Sequence, residues 1–202
     1  MIVTQGEIPK RCIVAVSGGP DSMALLDFVR RGPSEVTPLF VHHRTKDSDL
    51  GLKAVELYCE EHSLHLLKGS ISTEKNTKDG YEAFWRSERY SIFHAHTMPV
   101  LTAHQLDDCV EEYIINTLKR GRLGIIPYRN QNVIRPIRLT SHQRLLDWCM
   151  DNDVPFVHDS TNYDSRFLRP RIRYQLLEQI ENLINPGIVK MVKKMILADD
   201  IQ

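Results

Sequence analysis

Six residues, Ser17-Gly18-Gly19-Pro20-Asp21-Ser22, constrain this chain more than any other stretch. The apolar run before them, Cys12-Ile13-Val14-Ala15-Val16, reads as a buried parallel strand, and Met23 to Val29 after them has the composition of a helix. A short glycine loop between a strand and a helix is built to hold an anion. Its glycines let the backbone approach closely, and the first N–H groups of the helix face the ligand with about half a positive charge behind them. The loop therefore predicts a phosphate site. It is not a Walker A loop, because Gly-x-x-x-x-Gly-Lys-Ser/Thr occurs nowhere in the chain. A plain strand–turn–helix would carry small residues too, but not Ser-Gly-Gly-x-Asp-Ser as a unit behind a Val/Ile strand.

Strand and helix signals alternate through most of the chain beyond this loop. Val36 to Val41 reads as a second strand, and Leu50, Ala54, Leu57, Tyr58 and Glu61 then keep a helical period with one apolar side. Leu64 to Leu67 reads as a third strand, the polar stretch Ser70 to Asp79 as a connection, and Glu82 to His96 as a helix. Pro99 to Ala103 is a fourth strand and Asp107 to Leu118 its partner helix. This alternation predicts an α/β fold of Rossmann-like type: a parallel sheet of about five strands with helices on both faces, plus a C-terminal helical tail. Such sheets gather ligands beyond the carboxyl ends of their strands. Here those ends carry Ser17–Ser22, His42-His43 and Ala103-His104, and that convergence points to an enzyme.

Beyond Leu118 the pattern changes. Lys119 to Gly124 and Tyr128 to Asn132 read as turns, Ser141 to Asn152 as a helix, and Leu168 to Ala198 as one or two helices broken at Asn185-Pro186-Gly187. The expected organisation is a catalytic domain over residues 1–140 with a helical extension, 141–202, packed on it. The 26 lysines and arginines equal the 26 aspartates and glutamates, so a nucleic-acid partner would need a local basic patch. Arg166, Arg169, Arg171 and Arg173, with Lys119, Arg120 and Arg122, supply one, with Tyr163 and Phe167 available to stack on bases. The alternative for this cluster is a solvated helix start. No run of eighteen apolar residues and no signal-peptide pattern occurs, so no membrane association and a cytoplasmic location are expected. The four cysteines are scattered without a Cys-x-x-Cys pair and read as small core residues.

A second constellation, Ala103-His104-Gln105-Leu106-Asp107-Asp108-Cys109-Val110-Glu111-Glu112, sits at a strand-to-helix junction. Asp107 and Glu111 are four apart and share a helical face, while Asp108 and Glu111 are three apart. Carboxylates gathered near a phosphate loop suit Mg²⁺, and suit an ammonium group equally well. They would also complement the helix dipole with no ligand at all. His142 and His158 read as structural or surface residues.

These residues carry a resemblance. The Ser17–Ser22 loop resembles the SGGxDS loop of the PP-loop ATP pyrophosphatases. His104, Leu106, Asp107, Asp108 and Glu111 fall in register with AHHxDDQxET, the motif of the tRNA(Ile)-lysidine synthetases, where Gln105, Cys109 and Glu112 depart from it. Val41-His42-His43-Arg44 is similar to VDHxL, with His42 in place of aspartate, and Glu82 to Tyr90 to the E-A-x-x-R-x-x-R-Y helix. Lys119-Arg120-Gly121, Arg135-Pro136-Ile137 and Asp159 to Arg169 match further family segments in order, with Pro170 where asparagine is usual. The chain is identified as a member of that family from about Arg11 to Leu177.

The resemblance implies an ATP-dependent carbon–nitrogen ligase acting on the wobble cytidine of tRNA(Ile) with a CAU anticodon and on free L-lysine. Ser17, Gly18, Gly19, Asp21 and Ser22 would hold ATP, and Asp21 and Asp108 would hold Mg²⁺. Asp21, His104, Asp107, Glu111, Arg86 and Arg120 would serve catalysis. Asp108, Arg89, Arg166, Arg169 and Arg173 would bind substrate. Bacterial members usually carry further domains beyond the catalytic one, and this sequence has room for a helical tail. A chain of this length would contact less of the tRNA, pair as a homodimer, or recruit another protein. Two other readings stay open: a PP-loop ATP pyrophosphatase that adenylates another base or a small metabolite, and a non-catalytic nucleotide- or tRNA-binding relative.

Overall fold

The computed structural model describes residues 1–71, 81–158, 168–172, 176–177, 179 and 187–199. Alternation of apolar strands and amphipathic helices produces β1 (Arg11–Val16), α1 (Pro20–Arg31), β2 (Glu35–His42), α2 (Lys46–Glu61), β3 (Leu67–Ser70), α3 (Tyr81–His94) and β4 (Val100–Leu101). Next come α4 (Leu106–Arg120), β5 (Arg129–Asn130), β6 (Val133–Ile134), α5 (His142–Asp151), α6 (Leu168–Arg171) and α7 (Gly187–Ala198). The sheet has six strands in the order β3-β2-β1-β4-β6-β5. All pairs are parallel except β5 with β6. The sixth strand comes from the Tyr128–Asn132 turn, which is the bend of a β5–β6 hairpin with Gln131 at φ 54°.

Side chains alternate across the strands, so the sheet has two apolar faces. Cys12, Val14, Val16, Phe40, Leu101 and Ile134 pack against α1, α2 and α5. Ile13, Leu39, Val41, Val100 and Val133 face the other way, against Phe93 and partly buried Trp85, Tyr90 and Ile92 of α3. A third cluster lies around α4, where Leu106, Cys109, Val110, Ile114 and Ile115 meet Ile172, Val192 and Ile196. The basic turn begins later than its composition suggests: Lys119 and Arg120 still belong to α4, and Gly121, at φ 62°, ends the helix in the left-handed region.

Two further elements depart from the sequence expectation. The third strand starts at Leu67, and its pairing with Leu39–His42 takes up Leu67 to Ser70. Leu64 and Leu66 pack on the core from an irregular segment instead. The helical period in α2 is real, but its phase is different. Leu50 and Leu57 are exposed, whereas Ser48, Gly51, Ala54, Val55, Tyr58 and Cys59 are buried. Gly51 sets this phase, because the backbone of Ser17 and Gly18 lies against it too closely for any side chain.

Behind the Ser17–Ser22 loop, one buried carboxylate ties three helices together. Asp27 of α1 accepts hydrogen bonds from the Tyr58 hydroxyl of α2 (2.6 Å) and from Trp148 Nε1 of α5 (2.9 Å). It also pairs with Arg30 at 2.8 Å and Arg31 at 2.7 Å. Burial by itself raises the Asp27 pKa, but these four donors outweigh it and hold the carboxyl below the ordinary aspartate value.

Candidate active site

The order β3-β2-β1-β4 reverses direction between β1 and β4. The chain leaves β1 through α1 toward β2, and later returns through α3 to β4 on the other side of β1. Ligands bind in the crevice at such a point, outside the carboxyl ends of the two strands. Ser17–Ser22 leaves one strand there, and Thr102 to Leu106 leaves the other.

The loop is held by its own hydroxyls. Ser22 Oγ donates to Gly19 O (3.0 Å) and accepts from the Ser17 N–H (3.0 Å), and the Gly19 N–H donates to Ser17 Oγ (3.3 Å). With the Ser22 proton committed to Gly19, the Ser17 hydroxyl is the donor in its 3.2 Å contact with Ser22 Oγ. Gly18 sits at φ +84°, and a Cβ there would stand 2.6 Å from Gly51 O. Only glycine accommodates both the dihedral and the contact. On the opposite side, the Val157 N–H donates to Gly18 O at 2.9 Å. The loop is thus pressed between α2 and the segment beyond α5. Gly19 caps α1 and Pro20 occupies its first turn, where a missing N–H costs nothing.

Across the crevice, α4 starts on a capping box. The Gln105 side chain accepts from the Asp107 N–H (2.6 Å), and Asp108 Oδ2 accepts from the Gln105 N–H (3.1 Å). Gln105 is fully buried. Gln105, one of the positions that depart from the family motif, is therefore a helix cap, a role its polar side chain directly before a helix with an acid three residues on could have signalled. His104 Nδ1 lies 2.9 Å from Thr102 Oγ1 at the end of β4.

One residue connects the two sides. His142 opens α5, its ring Nδ1 lies 2.7 Å from Asp21 Oδ1, and its backbone N–H donates to Asp107 Oδ2 at 2.7 Å. The sequence reads His142 as a structural or surface residue, because no local signal marks a first-turn histidine as the partner of carboxylates distant in the chain. The Asp21 and His142 side chains are 27% and 37% exposed, so their contact stands at the crevice surface rather than in the core.

The remaining predicted residues are more dispersed. Glu111 is fully buried one turn beyond Asp107 in α4. Arg86 lies on α3 with its guanidinium 5.1 Å from the centre of the Tyr90 ring, and Arg89 is half-buried on the same helix. Arg120 pairs with Glu112 (2.8 Å) and Asn116 (2.6 Å) at the far end of α4. At 1.5 Å rise per residue it stands about 20 Å along the axis from Asp107. Arg166 and Arg173 lie outside the described residues, as do Tyr163 and Phe167, and Arg169 is placed only as a position in α6.

Among the described residues no three His, Cys, Asp or Glu side chains gather as a metal cage. Mg²⁺ needs no such cage, since it takes one or two carboxylates and completes its shell with phosphate oxygens and water. Asp21, beside the loop and partly exposed, fits that demand. Asp108 has one oxygen committed to the cap. Among the described residues no helix is long and apolar enough to cross a membrane. All four cysteines are buried, and burial pushes the Cys12 and Cys59 thiols up to about 11 and those of Cys109 and Cys149 to about 12.

Fold and geometry together define a doubly wound α/β protein whose glycine loop, distinct from Walker A, lies at the switch point of the sheet. The PP-loop domain family matches residues 3–180, and the chain belongs to that family. It is 29% identical over 197 residues to the tRNA(Ile)-lysidine synthase of Lactiplantibacillus plantarum, covering 89% of this chain and 44% of that protein. With the synthase of the same name from Malacoplasma penetrans it shares 31% identity over 182 residues, covering 82% of this chain and 61% of that one. The chain thus spans about half the length of the curated relatives it matches. The fold is shared with the NH3-dependent NAD synthetase from Campylobacter jejuni, at TM-score 0.53 and 12% identity, over 96% of this chain and 87% of that one.

Proposed function

We propose that this chain is the ATP-using part of a tRNA-modifying ligase, and that its product is lysidine in tRNA(Ile). The observation that carries this reading is the meeting of the Ser17–Ser22 loop and the Asp107 carboxylate at one switch point, in a chain whose relatives bear the name tRNA(Ile)-lysidine synthase. In the proposed reaction the C2 oxygen of the wobble cytidine attacks the α-phosphorus of ATP. The bond between the α- and β-phosphates breaks and pyrophosphate leaves. The ε-ammonium of lysine then loses a proton to solvent and its amine adds to C2, the C2–O bond to AMP breaks, and the attached nitrogen gives a second proton to solvent.

Each residue has a part in this scheme. The loop N–H groups and the Ser17 and Ser22 hydroxyls cradle phosphate. Asp21 holds Mg²⁺ brought in with the nucleotide, whose charge offsets that on the phosphates. Asp107 meets the lysine ammonium at the crevice edge, with Glu111 beneath it. His104, fixed at the end of β4, orients the base. Arg86 and Arg89, with Arg166, Arg169 and Arg173, grip the phosphates of the anticodon loop, which a protein reads as splayed single strand. The distance of Arg120 from Asp107 suits the RNA backbone better than the reacting phosphates.

The test is pyrophosphate release from ATP by the purified chain, with and without CAU-anticodon tRNA(Ile) and lysine, alongside mass spectrometry of the RNA. Release that needs the tRNA, and a lysine-sized mass gain on its wobble cytidine, is the expected result. ATP turnover indifferent to both additions defeats the lysidine assignment and leaves a PP-loop pyrophosphatase acting on another acceptor. Failure to bind ATP defeats the enzymatic reading altogether.

A further inference from the structure

His142 holds the two sides of the crevice through two chemically separate bonds. Its backbone N–H reaches Asp107 Oδ2 and its ring reaches Asp21 Oδ1, each at 2.7 Å. The first bond is a helix cap supplied from outside the helix. Ser141 precedes α5 without capping it through its side chain, and the Asp107 carboxylate satisfies the His142 N–H, one of the orphan donors of the first turn. That bond survives any replacement of His142 except proline. The second bond belongs to the imidazole alone. An ionised carboxylate only accepts, so Nδ1 carries the proton of that contact.

We propose that the His142 ring is a positioning residue for the nucleotide chemistry: it locks the Asp21 carboxylate in one orientation beside the phosphate loop. The inference rests on the ATP reading above. Asp21 is the second residue of α1, on a short, partly exposed side chain whose Oδ1 meets the His142 ring. Asp107 fixes the α5 N-terminus and, through it, the ring; the ring fixes Asp21. The carboxylate is thereby held by α5, an element that follows neither β1 nor β4 in the chain. The phosphates would rest on the backbone and hydroxyls of the loop, where Ser17, Gly19 and Ser22 are bonded to one another. Loss of the ring therefore leaves nucleotide binding largely intact and slows the step that needs Asp21 in place.

The experiment compares H142A, H142L and H142N. Asparagine presents an amide N–H close to where Nδ1 stands, whereas alanine and leucine present none. H142A and H142L are expected to lower the rate of pyrophosphate release about tenfold while ATP affinity changes less than about threefold. H142N is expected to recover most of that loss. Thermal midpoints of all three within about 3 °C of the parent separate positioning from loss of the fold, since the backbone cap persists. Equal damage in H142N and H142A, or rate and affinity falling together, overturns the proposal. A readout independent of turnover comes from ¹⁵N-histidine-labelled protein. The His142 ring signals are expected to report an Nδ1–H tautomer that D21N disturbs, and to shift when ATP and Mg²⁺ are added. Signals that ignore D21N or the nucleotide overturn the proposal even where the acceptor substrate has been misassigned, and a wild-type chain with responsive signals but no turnover faults the substrate alone.

Discussion

Gly51→Ala opposes local and tertiary energetics at one atom. In the interior of α2, alanine is favoured over glycine by about 1 kcal/mol, so propensity alone makes the variant more stable. The structure reverses the sign. A Cβ at Gly51 would stand 3.3 Å from the Ser17 carbonyl carbon and nearer still to its oxygen, inside the 3.0 Å that real Cβ atoms respect, with the Phe40 ring 3.6 Å away. The obstacle is backbone at the end of a central strand, and the next residue, Gly18, is pinned by Val157. Overpacking of this kind costs about 1–3 kcal/mol, and an obstacle that cannot rotate aside places the cost at the upper end. The net loss is about 2 kcal/mol, or about 4–8 °C in thermal midpoint for a domain of this size. Strain relieved by moving Ser17 also displaces the phosphate loop, so stabilisation by saturating ATP should shrink as well. Differential scanning calorimetry with and without ATP measures both. A midpoint equal to or above that of the parent would refute the argument, because it would show that the α2–loop contact yields without cost.

The Asp27 network predicts a pH dependence. Because the folded pKa is lowered, the stability this ionisation contributes is complete above the unfolded value of about 3.9 and disappears as pH falls through the folded value. D27N should lose about 2–3 kcal/mol at pH 7 and lose less than the parent as pH drops below about 4. Urea midpoints at pH 7 and pH 3 test this, and parallel curves for the two proteins would contradict it. The thiols, pushed up to about 11 or 12 by burial, should resist an aromatic disulfide reagent at pH 8 for many minutes in the native protein. All four should react at once in guanidinium, and a fast native thiol would show that one of these sites opens.

Legibility varied along the chain for physical reasons. The strand–loop–helix around Ser17–Ser22 could be read directly, since an apolar strand, two glycines and a helix start are written in consecutive residues. The phase of α2 could not. Leu50 and Leu57 satisfy a helical period, yet Gly51 must face the loop, and only the packed structure reveals that the smallest residue chooses the buried side. Leu64–Leu67 was apolar enough for a strand, but the register with Leu39–His42 began at its last residue. The hairpin strands β5 and β6, two residues each, are too short to leave a period of their own.

What this sequence determined by itself was the parallel α/β character, the strand–loop–helix at Ser17–Ser22 and the carboxylates at the start of α4, because each is encoded within one turn or one strand of chain. The tertiary structure alone decided which histidine meets Asp21 and Asp107. Asp21 and His142 are 121 residues apart, and Asp107 and His142 are 35 apart. No local pattern spans such separations. Their meeting depends on the reversal of strand order at β1 and β4 and on α5 docking behind the loop through Asp27 and Trp148. A bond between distant residues exists only after the core that carries them has packed.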